Sequence, residues 1–203
     1  MTKRRSERQT TSRTKSGTIR ETDLQRRVGF REQRRTILAV TNGESTERAY
    51  LEGLGREPWV RHRLVVVVEK GSPLGTVRDA ARRRDDNDFD QTYVVCDVDQ
   101  FLTGEATKEA QRLRVGLLWS NPCFEVWLIL HHENCTRYLE NAKKARDHLR
   151  RLVEGWDKTK LAFVGFRDGV DTATAHARAL GEPPDANPST AVWRLVEELR
   201  DPR

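Results

Sequence analysis

Two hundred and three residues suffice for one domain with a real core but hardly for two. The net charge of +6 is unevenly placed: residues 1–35 hold twelve Lys/Arg against four Asp/Glu, and the remainder holds 25 against 27. The body is therefore slightly acidic, which excludes a uniformly basic, nucleic-acid-coating protein. Three scattered cysteines without a CxxC pair exclude a disulfide framework and a zinc knuckle, and fit reduced thiols in a cytoplasmic protein. No apolar run approaches a membrane span, and no apolar stretch follows the Arg-rich start as in a secretory signal.

Residues 1–35 are rich in Arg, Ser and Thr and poor in large apolar side chains, so they read as a disordered basic tail able to contact phosphates. At residues 36–41 (TILAVT) an apolar run stops at Asn42-Gly43, the pattern of a buried strand. Ser45-Thr46 can cap the helix that follows, with Tyr50, Leu51 and Leu54 on one face. Residues 64–69 are nearly pure valine and predict a strand covered on both faces. A helix to about Arg84, a strand at 92–96, a helix at 105–113 and a strand at 115–119 follow. Pro122 then stands at the favoured first position of a helix running to about His132. Four strand–helix repeats with short connections predict an α/β fold, a four-stranded parallel sheet flanked by helices. Beyond it the pattern is helical: residues 141–154 are basic and amphipathic, and Asn187 is placed to cap a helix at 188–200. Residues 161–166 are compatible with a strand. The organisation expected is a tail at 1–35, a catalytic core at 36–135, and a helical extension at 136–203 packed on the same domain.

In open parallel sheets ligands gather at the carboxyl ends of the strands. The first strand delivers Asn42-Gly43-Glu44 there, and the third delivers Asp97-Val98-Asp99. Converging carboxylates repel unless a cation compensates, and an all-oxygen donor set favours Mg²⁺ or Mn²⁺ over zinc. Residues two apart in an extended segment point the same way, so Asp97 and Asp99 can face one metal. Glu125 sits amid Phe124, Val126, Trp127, Leu128, Ile129 and Leu130, and a buried carboxylate needs a cation or firm hydrogen bonds. On a continuous helix Asn121, Glu125 and His132 would form a narrow polar stripe, within roughly 40° of one another. A Glu–His or Glu–Arg structural pair is the plain alternative.

Strand–Gly-Glu–helix followed by strand–Asp-x-Asp resembles the Toprim fold of topoisomerases, primases and OLD-type nucleases. More specifically, ILAVTNGESTERAYLEGL (37–54), YVVCDVDQF (93–101), WSNPCFEVWLILHH (119–132) and NPSTAVWRLVEEL (187–199) resemble the RloB-like family, linked to AbiLii abortive-infection proteins. Ser-Asn-Pro-x-Phe-Glu-x-Trp is the most specific of these segments. Trp156-Asp157-Lys158 resembles the family's aromatic-x-Lys segment, with Trp in place of Tyr, and Gln100 stands where relatives carry another polar or acidic group. The resemblance implies a Toprim site with Glu44 as general acid/base or metal ligand and Asp97 and Asp99 as Mg²⁺ ligands. Glu125 is an additional candidate ligand, Lys158 a candidate for neutralising the phosphate, and Asn42, Asn121 and His132 supporting polar groups. It further implies a nuclease in bacterial antiviral defence, beside a partner ATPase and with a homo-oligomer allowed.

Two other readings stay open. A Toprim domain can serve as a non-catalytic nucleic-acid or protein-binding module. A HAD-type phosphohydrolase also uses a strand-end DxD, and Phe-Arg-Asp-Gly-Val-Asp at 166–171 superficially resembles its later acidic motif. Against the latter, this DxD is not on the first strand, and Glu44 would be idle.

Overall fold

The computed structural model describes residues 34–98 and 103–202. The tail at 1–33 and the ligand candidate Asp99 lie outside the described residues. Arg35 is part of the body: its carbonyl accepts from the Arg63 N–H at 2.9 Å, and its guanidinium meets Glu198 at 2.8 Å.

Four parallel strands form the sheet: β1 (Thr36–Thr41), β2 (Arg63–Val68), β3 (Gln91–Asp97) and β4 (Gly116–Asn121). A fifth, β5 (Ser189–Thr190), pairs antiparallel with β4, giving the order β2-β1-β3-β4-β5. The chain thus runs outward from β1 to β2, then returns across to β3 on the other side of β1. The direction of winding reverses between β1 and β3, where open α/β sheets form their ligand crevice.

Helix α1 (Thr46–Leu54) lies on one face of the sheet, burying Tyr50, Leu51 and Leu54 as their i, i+1, i+4 spacing anticipates. Helices α2 (Pro73–Asn87) and α3 (Thr103–Leu113) cover the other face with small residues: Val77, Ala80, Ala81, Ala106 and Ala110. Ser72 caps α2 by accepting from the Gly75 N–H, with Pro73 in the first turn. The C-terminal helices join α1's face: α4 (Glu125–Leu130), α5 (Ala142–Leu152), α6 (Val170–Ala179) and α7 (Val192–Arg200). Among the described residues, no helix is long and apolar enough to cross a membrane.

Several expectations are corrected. The valine-rich β2 is an edge strand and only half-buried: its side chains pack on both cores, but among the described residues one flank has no neighbouring strand. Residues 161–166 are not a strand; Phe163–Gly165 is a 3₁₀ turn that buries Phe163. The Asn121–Pro122 peptide is cis, and residues 122–124 form a turn, so the helix starts at Glu125 rather than at Pro122. Asn187 is no helix cap: residues 189–190 join the sheet and α7 begins at Val192. Ser45 occupies the N-cap position of α1 but makes no capping hydrogen bond.

Candidate functional site

Because β1–β4 are parallel, their carboxyl ends share one sheet edge. Asp97 is the last residue of β3, Glu47 stands in the first turn of α1 just beyond β1, and Glu125 opens α4 just beyond β4. All three meet at the reversal between β1 and β3 and its β4 neighbour. Glu47 is 4% exposed and Glu125 2%.

The chain builds this cluster against an electrostatic cost. Burial pushes the Asp97 carboxyl well above the ordinary carboxylate range, and the neighbouring charges of Glu47 and Glu125 push it further in the same direction. Burial likewise raises Glu47, with Glu125 adding to the rise. Little compensates within the chain. The Phe124 N–H donates to Asp97 Oδ1 at 2.8 Å, fixing one carboxylate oxygen. Lys158 Nζ lies 3.9 Å from Glu125 Oε1, too far for a hydrogen bond. Glu47 Oε2 and Glu125 Oε1 remain buried without hydrogen-bond partners.

Gly43 is required beside this cluster. A Cβ at that position would lie 1.9 Å from Glu47 Cδ, so only a bare backbone leaves room for the carboxylate. Lys158 is brought to the edge by a long-range tie: Thr46 Oγ1, at the start of α1, donates to the Lys158 carbonyl at 3.0 Å.

The three carboxylates offer a hard divalent cation buried oxygen donors, two of them orphaned, with the Cys123 thiol against Glu125. Glu47, Asp97 and Glu125 are the residues that would hold it. Their carboxylate oxygens do not all close to within 4.8 Å of one another, the spacing expected of three mutually repelling acids.

The sequence-predicted residues divide. Asp97, Glu125 and Lys158 come together. Glu44 follows β1 at the same edge but is exposed, and its carboxylate pairs with Lys70 at 2.7 Å, which holds it below the usual range. Asn42 is half-buried in the same turn, where the Thr41 hydroxyl accepts from the Gly43 N–H. Asn121 stands on β4 and not on a helix, so the polar stripe with Glu125 and His132 does not form. Its amide donates to the carbonyls of Pro184 and Ala186 at 2.6 and 2.9 Å. His132 is exposed past the end of α4 and lies edge-on to Phe166. Its neighbour His131 is buried, its Nδ1–H donating to the Trp127 carbonyl and its Nε2 accepting from Tyr50. In the HAD-like segment, Asp171 pairs with Arg200 and Asp168 is exposed; neither joins the carboxylates.

Glu47 is the residue that motif reasoning misses. The signal is present in the sequence, since Glu47, Tyr50, Leu51 and Leu54 fall at i, i+3, i+4 and i+7 on the buried stripe of α1. A carboxylate on such a stripe needs a partner.

A second cluster, Glu133, Cys135 and His148, has its candidate donor atoms within 4.8 Å of one another. His148 Nδ1, however, accepts hydrogen bonds from both Arg137 and Arg151, while Nε2 faces Glu133 Oε1 at 2.5 Å. A metal on Nε2 would require Nδ1 to carry a proton and donate, which two guanidinium donors oppose. The cluster therefore reads as an imidazole wired between two guanidiniums and a carboxylate.

Comparison with curated proteins gives no match, nor does comparison with solved structures. A family model does match, described as RloB-like protein and covering residues 37–199. That span takes in the sheet from the second residue of β1 onward, together with Glu44, Glu47, Asp97 and Glu125. The chain belongs to the RloB-like protein family.

Proposed function

We propose that this protein is a Toprim-type, metal-dependent phosphodiesterase: a nuclease that takes nucleic acid at the carboxyl edge of its sheet. The observation that carries the reading is the buried trio Glu47, Asp97 and Glu125, with orphaned oxygens and Lys158 as the neighbouring cation. A chain accepts such repulsion where a function recovers it, and an open-sheet winding reversal is where substrates are bound.

A Mg²⁺ or Mn²⁺ ion held there supplies Lewis acidity and an activated water at neutral pH. The remaining roles belong to side chains. The Phe124 N–H holds Asp97 Oδ1 and so fixes the carboxylate at the end of β3. Glu47 and Glu125 supply the orphaned oxygens from either side of the β3 end, one from α1 after β1 and one from α4 after β4. Lys158 Nζ is partly exposed, so it can turn from Glu125 to a phosphate oxygen and offset charge that builds on phosphorus. Glu44, exposed at the rim beside Lys70, is placed to exchange a proton with solvent or a leaving oxygen. The wider role in bacterial antiviral defence, as an AbiLii-like effector beside a partner ATPase, rests on the sequence resemblance.

The test is cleavage of DNA and RNA with Mg²⁺ or Mn²⁺ by wild type, Asp97→Asn and Glu47→Gln. Metal-dependent cleavage lost in both variants supports the reading. Identical background in all three refutes it and leaves a binding module. Phosphate release from small phosphoesters with nucleic acid intact would transfer the site to the phosphohydrolase reading.

A further inference from the structure

The body carries a slight net negative charge, yet one segment departs from it. Residues 137–151 hold six Lys/Arg against two Asp/Glu, and most of them lie on α5. Many arginines elsewhere are engaged: Arg48, Arg78, Arg82, Arg112, Arg178 and Arg194 each meet a carboxylate. On α5 the side chains of Lys143, Lys144 and Arg146 have no hydrogen-bond or ion-pair partner among the described residues.

Arg137, Lys144 and Arg151 line a surface cleft of about 490 Å³ together with Tyr138, Leu139 and one carboxylate, Glu140. Two features of the cleft point to an anion. Arg137 and Arg151 both donate to the same atom, His148 Nδ1, so two guanidiniums converge on one ring nitrogen and not on a carboxylate. Like charges brought together in this way are relieved by an anion that accepts from both, and guanidinium forks match phosphate oxygens. The second feature is Tyr138, a residue 71% exposed beside these cations. A large aromatic ring left in water next to phosphate-binding groups is the arrangement of a base-stacking platform.

The cleft is also connected to the carboxylate edge. Helix α5 ends at Leu152 and leads within a few residues to Trp156, which Arg150 overlies at 5.7 Å, and then to Lys158. The Thr46 hydrogen bond to the Lys158 carbonyl pins that passage to α1.

We propose that the cleft formed by Arg137, Tyr138, Lys144 and Arg151 binds single-stranded nucleic acid, its phosphates on the cations and an unstacked base on Tyr138. The inference rests on the nucleic-acid reading of the carboxylate site and adds to it the strandedness of the substrate and the surface that guides it. A duplex keeps its bases stacked inside and offers Tyr138 nothing to stack on.

Binding is measured on the full chain by fluorescence anisotropy, in EDTA so that no cleavage intervenes, with labelled single-stranded and duplex oligonucleotides over a salt series. Removing two phosphate contacts with Lys144→Gln/Arg151→Gln should make the single-strand salt slope shallower by about 1.4 and weaken binding about 25-fold at 0.1 M salt. Tyr138→Ala should weaken single-strand binding at least about fivefold with the salt slope and duplex affinity unchanged, and Tyr138→Trp should restore it. The control Arg82→Gln/Lys108→Gln, exposed on the opposite face of the sheet, should change neither. Thermal unfolding of each variant confirms that the fold persists. Wild-type affinity and slope in both cleft variants would overturn the proposal, as would losses confined to anionic phosphatidylglycerol vesicles. The nuclease reading fails separately: no metal-dependent cleavage, with the cleft variants still losing oligonucleotide, removes the catalysis and keeps the cleft.

Discussion

Asp97→Asn should stabilise the metal-free protein while abolishing its response to Mg²⁺. The substitution keeps the shape and keeps an acceptor for the Phe124 N–H, so the 2.8 Å hydrogen bond can survive. What it removes is a carboxylate charge that burial, Glu47 and Glu125 all disfavour. An acid whose pKa is higher in the folded chain than in the unfolded one binds protons more tightly when folded. Stability therefore falls as pH rises from about 4, the unfolded value, through the raised folded value. Each unit of elevation costs about 1.4 kcal/mol above both values, or about 3–6 °C in Tm for a body of this size. In EDTA at pH 8 the variant should melt higher, and the advantage should shrink towards pH 4. Mg²⁺ at tenfold above its Kd should raise the wild type by about 1.4 kcal/mol and leave the variant unmoved. Differential scanning fluorimetry across pH, with and without Mg²⁺, reads both effects. A variant no more stable than wild type in EDTA at pH 8 would refute the repulsion argument, and equal Mg²⁺ responses would refute the site.

Gly43→Ala should drive the Glu47 carboxylate from its place, because the added Cβ falls 1.9 Å from Glu47 Cδ; the loss of a Mg²⁺-induced rise in Tm checks this. His131, pushed down to about 4 chiefly by burial, should contribute roughly 3 kcal/mol that is present above pH 6.5 and lost as pH falls towards 4. Urea unfolding at several pH values should show that component absent in His131→Gln. Lys158→Met removes the ammonium nearest Glu125 and should lower metal-free stability by about 1 kcal/mol or less, since the lysine is half-exposed, with Mg²⁺ narrowing the gap.

Much of the architecture is legible in local pattern. The strands of residues 36–41 and 92–96 are continuous apolar runs ended by polar residues, and they form the adjacent central strands β1 and β3. What escapes local pattern is set by distant partners. Asn187 followed by Pro188 looks like a helix start, but the chain pairs Ser189–Thr190 with β4, some 70 residues earlier, and a two-residue strand has no periodicity to read. Pro122 looks like the first residue of a helix, yet the following turn delivers the Phe124 N–H to Asp97, an interaction invisible in the local sequence. At the site, Asp97 and Glu125 are legible as acids where acids are costly. The Gly-Glu motif draws attention to Glu44, whereas the helical period of α1 selects Glu47 as the buried carboxylate. Motif and period give different answers three residues apart, and burial follows the period.

Asn187 closes the molecule from far along the chain. Its amide donates to Asn121 Oδ1 and to the Leu139 carbonyl at 3.2 and 2.9 Å, and its Oδ1 accepts from the Leu139 N–H at 2.9 Å. Ser120 and Thr190 hydroxyls then meet at 2.8 Å across β4 and β5. During synthesis these contacts wait until residues 187–190 have left the ribosome, while β1–β3 can already pair. Helix α7, which packs against β4 and α6, completes the same core only after that. Assembly of the acidic edge is thereby tied to a loop closure of long range, the kind that comes late because its entropy must be overcome before its contacts form. A nascent chain would leave the end of β4, which leads into Glu125, without its antiparallel partner until residues 189–190 emerge, a form of restraint inherent in the order of translation.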